Sequence, residues 1–210
     1  MKQTQLRQGA DALGVALQPE AVARLLQYLD LLAKWNRIYN LTAIHDRTRW
    51  VSHHLLDSLS VVPYLPSGAV VDVGSGAGFP GLPIAVACAE REVVLLDANN
   101  KKCAFLRQAI AELKIANAKV EVSRVESFHP PRGFEVVISR AFAELAEFIR
   151  AARHLCVPGG RLLAMKGVYP DEEIAQLPAA AVERALRLTV PALEAQRHLL
   201  FVDPAKLEGF

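Results

Sequence analysis

From Pro19 to about Tyr39 the apolar positions fall at Val22, Leu25, Leu26, Leu29, Leu32, Ala33 and Ile38, the three-four spacing of an amphipathic helix. Glu20, Arg24, Gln27, Asp30 and Lys34 form its polar face. A shorter helix is expected before it, and Asp46 is a candidate cap for another that runs into WVSHHLLDSL. Residues 1–66 therefore read as a helical cap, integral to one domain with residues 67–210. After Pro63 and Pro66-Ser67-Gly68 the pattern changes to short β-branched runs. The predicted strands are Ala69–Val73, Glu92–Leu96, Lys119–Val122, Glu135–Ser139 and Arg161–Lys166. Helical stretches lie between them, such as Lys101–Ile115 and Leu145–Cys156, the latter closed by Pro158-Gly159-Gly160. This alternation predicts an α/β fold with a mostly parallel sheet covered on both faces. The tail adds strands at Arg187–Val190 and His198–Val202, joined only by PALEAQR. So short a link cannot cross over the sheet, which predicts an antiparallel closing hairpin.

The 210 residues, 52% of them hydrophobic, are enough for an ordered core, and the net charge of +2 announces no partner through a global field. Any basic surface has to be local. Cys88, Cys103 and Cys156 are widely spaced in apolar surroundings, which fits reduced core thiols rather than a disulfide framework or zinc site. The N-terminus lacks an apolar signal region and no later run reaches the ~20 apolar residues of a membrane span, so a cytoplasmic, non-membrane protein is expected. The Asn40-Leu41-Thr42 sequon is then read as chance. His53 and Asp57, four apart, supply two metal ligands without a third, and no metal is expected.

The stretch VVDVGSGAGFPG, Val70 to Gly81, places a glycine-rich loop behind the first predicted strand, with Pro80 expected in the first turn of the following helix. Such a loop lets a ligand meet backbone N–H groups. Gly76, Gly78 and Gly81 satisfy the G-x-G-x-x-G spacing of dinucleotide sites, so a nicotinamide-dependent oxidoreductase competes with a methyltransferase using S-adenosylmethionine. Asp72 is the first discriminator: a carboxylate there repels a pyrophosphate and suits a cationic, phosphate-free ligand. It is equally compatible with bracing the turn through loop amides. Asp97 ends the second strand, 23 residues after Gly74, near the ~20-residue offset at which an acidic side chain meets a ribose in such folds. An antiparallel tail strand fits the methyltransferase better, by fold analogy.

The chain resembles the RsmG family, also called GidB, of bacterial 16S rRNA guanine-N7 methyltransferases. The resemblance spans roughly Leu25 to Phe201. It rests on KWNRIYNLTAI, HHLLDSL, VVDVGSGAGFPGLPIA, LLDANNKKCAFL, RVES, SRAF and PGGRLLAMKG, in that order. It implies a Rossmann-like S-adenosylmethionine-dependent fold, S-adenosyl-L-methionine as cofactor, and N7 of one guanosine in 16S ribosomal RNA or the small ribosomal subunit as target. A monomer is expected. By motif position the implied cofactor contacts are Gly74, Phe79, Val125, Glu126 and Arg140; Asp72, Gly76 and Gly78 join them from the loop reading, and Asp97 from the ribose argument. Lys101, Lys102, Arg124, Arg140 and Lys166 follow successive strands and form a candidate basic rim for RNA phosphates, with Arg197 in the tail. Trp35 and Trp50 are candidates either for stacking on RNA or for packing cap against sheet. Guanine N7 carries a lone pair and no proton, so no catalytic residue is expected, and the chemistry reduces to alignment. A non-catalytic ribosome-assembly factor with the same fold is the other competing reading.

Overall fold

In the computed structural model, which describes residues 1–140, 142, 144–178 and 180–207, each strand's alternate residues face opposite layers. The parallel strands are β1 (Val70–Val73), β2 (Val93–Asp97), β3 (Ala118–Val122), β4 (Phe134–Ser139) and β5 (Cys156–Lys166). β6 (Val182–Arg187) and β7 (His198–Val202) close the sheet as an antiparallel hairpin, in the order β3-β2-β1-β4-β5-β7-β6. Val70, Val93, Leu95, Ile138 and Leu163 point into a core shared with the N-terminal helices, whereas Val71, Val94, Leu96, Val137 and Leu162 point into a second core on the opposite face. Burial on both faces explains why β1 and β2 read as continuous apolar runs.

The cap consists of α1 (Lys2–Ala12), α2 (Pro19–Tyr39) and α3 (Asp57–Leu59), the last continuing a π-helical segment at Val51–Leu56. Val22, Leu25, Leu29 and Leu32 of α2 are buried in one core with α4 (Gly81–Ala87) and α5 (Asn100–Leu113), and Leu6 of α1 belongs to the same core, so the cap shares it with the sheet. α6 (Leu145–Ala152) covers the other face through Leu145, Phe148 and Ile149, and α7 (Asp171–Ala175) follows β5. Among the described residues no helix is long and apolar enough to cross a membrane.

Three local expectations need correction. The strand expected at Arg187–Val190 lies earlier, at Val182–Arg187. Leu188 and Val190 instead turn into the cap-side core, while the edge strand carries the exposed Glu183, Arg184 and Arg187, a polar pattern that hides an edge from the hydrophobic signal. The helix expected to Cys156 is α-helical to Ala152 and continues as a 3-10 turn over Arg153–Leu155, and β5 already starts at Cys156 and runs through Pro158-Gly159-Gly160. Gly159 at φ +82° lets the chain pass there, and the β4 register shifts alongside. As expected, Asp46 caps a helical run, accepting from the Thr48 amide at 2.9 Å, and that run passes unbroken from a 3-10 turn at Arg47–Arg49 through the π-helical Val51–Leu56 into α3. Pro80, joined to Phe79 by a cis peptide, stands one residue before the helix, which begins at Gly81.

Candidate active site

The loop between β1 and α4 turns through Gly74, Gly76 and Gly78 at φ +71°, +59° and +82°, a region that favours glycine. At Gly78 a side chain would also collide, because a Cβ would lie 2.7 Å from both the Leu106 Cδ2 and the Tyr28 hydroxyl. The loop is held from several directions. Gly74 and Ser75 donate their amides to the Leu96 carbonyl at 2.8 and 3.0 Å. The Gly76 amide donates to Asp97 Oδ2 at 2.8 Å, and the other oxygen of Asp97 accepts from the Asn99 amide at 2.8 Å. From the cap, the Tyr28 hydroxyl donates to the Ala77 carbonyl.

Asp72 lies beneath this loop. It is fully buried, and Oδ2 accepts from the Gly81 amide at 2.8 Å, while Oδ1 has no partner within the protein. Burial pushes its carboxyl up to about 7, opposed by the Gly81 N–H, by Arg140 and by Ser75. Phe79 points the other way, into the cap. Its ring stacks on His54 at 4.6 Å and 9° and packs against Tyr28 at 5.4 Å, with the Arg140 guanidinium 5.4 Å from its centroid. Burial, with Arg140 and His53 nearby, pushes His54 down to about 3, so it stacks as a neutral ring.

Two cavities flank the loop. The first, of about 270 Å³, lies over the carboxyl ends of β1, β2 and β3. It collects Gly74, Asp97, Arg124, Val125 and Glu126 from the predicted residues, and adds Ser123, Phe142 and Glu147, which motif position did not single out. The second, of about 340 Å³, lies over β4 and β5 beneath the cap and includes His53, Asp57, Arg140, Lys166 and Arg197. Arg140 and Lys166 thus stand on the far side of the loop from Asp97. Arg140 donates to Asp57 Oδ2 at 2.8 Å, Arg197 to Asp57 Oδ1 at 2.7 Å, and Lys166 to Glu173 at 2.7 Å. In the sequence Asp57 was legible only beside His53, four residues before it on one helical face, as a surface pair or a cleft wall; its two arginine partners were not.

Lys101 and Lys102 begin α5, where Asn99 caps the helix by accepting from both of their amides; the Lys101 ammonium lies 5.8 Å from the Tyr39 ring centroid. Trp50 is buried and donates its indole N–H to the Ile44 carbonyl at 2.7 Å, and Trp35 packs on Phe105 with ring centroids 5.7 Å apart. Trp35 therefore joins the cap to α5, whereas Trp50 braces the cap internally. Cys103 is buried and its thiol contacts the Asp97 carbonyl at 3.2 Å; burial pushes Cys156 up to about 12. No cluster of three or more metal-ligating side chains occurs among the described residues. Ala141 of the Ser139-Arg140-Ala141 triplet lies outside them.

The acceptor groups around the first cavity suit a cation carrying a ribose. Asp97, Glu126 and Glu147 contribute three carboxylates against the single guanidinium of Arg124, while Val125, Leu96 and Phe142 offer apolar contacts to a ring. A pyrophosphate would meet mostly like charge there.

Residues 21–200 match the family model described as "GidB: rRNA small subunit methyltransferase G". A protein named "Ribosomal RNA small subunit methyltransferase G" from Laribacter hongkongensis is 49% identical over 197 residues, covering 93% of this chain and 95% of its own. One of the same name from Burkholderia pseudomallei is 51% identical over 210 residues, covering 96% and 90%. Among solved structures, a SAM dependent methyltransferase from Aquifex aeolicus superposes with a TM-score of 0.56 at 16% identity, over 81% of this chain and 96% of that one. That likeness concerns the fold.

Proposed function

Because the chain belongs to the rRNA small subunit methyltransferase G family, we infer that it transfers a methyl group from S-adenosyl-L-methionine to N7 of one guanosine in 16S ribosomal RNA. The observation that carries this reading is the family match over residues 21–200, together with near-half identity along almost the whole chain. A monomer working in the cytoplasm on 16S rRNA or the small subunit is part of the same reading.

In this reading S-adenosylmethionine, when bound, supplies an electrophilic methyl carried on a sulfonium. Gly74, Gly76 and Gly78 offer backbone to it, Asp97 faces its ribose, and Val125 and Glu126 flank its adenine. Asp72 acts from beneath, by holding the Gly81 amide and so the start of α4. Phe79 and Arg140 act one layer away, by keying the loop to the cap. Guanine N7 needs no proton removed, so the chain has no general base or nucleophile to provide. Its task is placement, which in well-oriented systems contributes up to roughly 7–11 kcal/mol of barrier lowering. Lys101, Lys102 and Arg124, near the rim of the first cavity, take RNA phosphates.

The test is mass mapping of 16S rRNA incubated with purified protein and S-adenosylmethionine, beside rRNA from cells with and without the gene. One added methyl on a guanosine, absent without the gene, is expected. An unchanged methylation pattern would favour an assembly factor, and NADH binding with no S-adenosylmethionine binding heat would favour an oxidoreductase.

A further inference from the structure

Large apolar side chains left exposed carry information where they cluster, whereas single ones are ordinary. Among the described residues Ile38 and Tyr39, at the end of α2, form one such pair, 72% and 40% exposed, and Val168 and Tyr169 after β5 form another. Their electrostatic settings are opposite. Val168-Tyr169 runs into Asp171, Glu172 and Glu173, which repel phosphate. Ile38 and Tyr39 share the last turns of α2 with Lys34 and Arg37, and the Lys101 ammonium of α5 lies 5.8 Å from the Tyr39 ring centroid. Lys34, Arg37 and Lys101 are exposed and make no ion pair among the described residues. Asp30, one turn before Lys34, is taken by Arg47 at 3.5 Å. The Tyr39 ring is nevertheless fixed. It packs on Trp35 with centroids 5.2 Å apart, and Trp35 packs on the buried Phe105 at 5.7 Å. Three rings thus run from the core to the surface, and burial accounts for the inner two but not for the open face of the third.

We propose that this face of the cap is a stacking platform for an unpaired base of 16S rRNA near the target guanosine, with Tyr39 carrying the base, Ile38 extending the apolar surface, and Lys34, Arg37 and Lys101 holding the adjoining phosphates. The inference rests on the RNA-methyltransferase reading above and extends it to the cap. An aromatic face set among cations is the combination that binds single strands, because every base has a face to stack and every linkage a charge to neutralise. A paired base offers no free face, so the nucleotide held here is unpaired. Tyr39 is already oriented by Trp35, which lowers the ordering cost of binding. The patch is tied to the cofactor loop from two directions. Tyr28 of the same helix holds the loop at Ala77 and lies eleven residues before Tyr39, roughly 16 Å along the axis. On the α5 side, the Asn99 side chain accepts from the Lys101 amide, while the Asn99 amide donates to Asp97 at the first cavity. A base on Tyr39 therefore belongs to a nucleotide only a few positions from the one presented to the methyl donor.

The test is filter binding of unmethylated 16S rRNA, and of small subunits containing it, across a KCl series on full-length protein, with calorimetric titration of S-adenosylmethionine alongside. Tyr39→Ala is expected to weaken rRNA binding by about five- to a hundredfold, the range for one stacked base. The slope of log affinity against log salt should not change, since no phosphate contact is lost, and affinity for S-adenosylmethionine should stay within about twofold of wild type. Tyr39→Phe keeps the ring and should bind rRNA within about twofold of wild type. Lys101→Gln should instead reduce the salt slope by roughly 0.7–0.9, one phosphate contact. Wild-type affinity in Tyr39→Ala, or a loss in Tyr39→Phe as large as in Tyr39→Ala, overturns the proposal. A loss confined to subunits, with naked rRNA bound normally, assigns the face to a ribosomal protein and overturns it too. Should Tyr39→Ala fail to fold, Ile38→Glu, at the more exposed position of the same face, decides by whether rRNA binding weakens. Wild-type protein that binds neither rRNA nor subunits would sink the functional reading and the platform together. Wild-type protein that binds rRNA but transfers no methyl group would sink the functional reading alone, and the Tyr39 series would still judge the platform.

Discussion

Replacing Asp72 by Asn tests whether the loop is braced by a strained carboxylate. The side chain is fully buried, its Oδ2 accepts from Gly81, and its Oδ1 has no partner in the protein. Moving this carboxyl from an ordinary 3.8 to about 7 costs the ionised folded state on the order of 4 kcal/mol, at about 1.4 kcal/mol per pH unit. The sign follows from proton counts. Between about pH 4 and 7 the folded chain retains a proton that the unfolded chain has lost, so stability from this group is full below pH 4 and declines as pH rises through 7. Asn keeps an acceptor for Gly81 and never ionises. Urea denaturation of both proteins at pH 5 and pH 8 should therefore show Asp72→Asn gaining on wild type with rising pH, by about 1–4 kcal/mol, at similar m-values. A difference that is flat with pH, or that moves in favour of the wild type toward pH 8, would refute the reasoning.

Asp97→Ala removes the acceptor of both the Gly76 and Asn99 amides and should weaken S-adenosylmethionine binding by tenfold or more in calorimetry while RNA affinity is kept, since two backbone donors lose partners worth about 1 kcal/mol each. Lys101→Glu with Lys102→Glu should weaken RNA binding and its salt dependence and leave cofactor affinity alone; equal loss of both affinities would show the division of roles to be wrong. Gly78→Ala combines φ +82° with a Cβ contact of 2.7 Å, and a loss of about 2–4 kcal/mol is expected in the same denaturation assay. Tyr28→Phe deletes the hydroxyl that donates to Ala77. It should lower stability by about 1 kcal/mol and slow single-turnover methyl transfer more than it weakens cofactor binding.

The inner strands were legible because they are buried on both faces and so appear as mainly apolar runs, and β1, β2 and β7 fall within a residue of the expected limits. β6 was not, because an exposed edge strand carrying Glu183, Arg184 and Arg187 has no apolar run to find. The first cavity was legible through the glycine spacing and the offset to Asp97, which are local features of one βαβ unit. The second was not. Asp57 meets Arg140 and Arg197 across sequence separations of 83 and 140 residues, and no short-range pattern encodes such pairs. Phe79 marks the family in the sequence, but its contacts, a stack on His54 and a tilted packing against Tyr28 of the cap, exist only in three dimensions.

On the proposed transfer to guanine N7, which needs no base, these contacts bear on why the chain has a helical cap. Where the acceptor already carries its lone pair, rate depends on holding donor and acceptor to within a fraction of an ångström, and a glycine loop left to itself samples many conformations. Here the loop is fixed below by Asp72, along the sheet by Leu96 and Asp97, and above by Tyr28 and His54. The upper contacts come wholly from the first 66 residues, so the cap completes the rigidity of the loop. The same cap carries Asp57 to the other side of Phe79, where it orders the two arginines. One element thus sets the geometry of both cavities, and a shift of the cap would displace both at once. Alignment chemistry can tolerate an active site with no base, but not one whose two halves move independently.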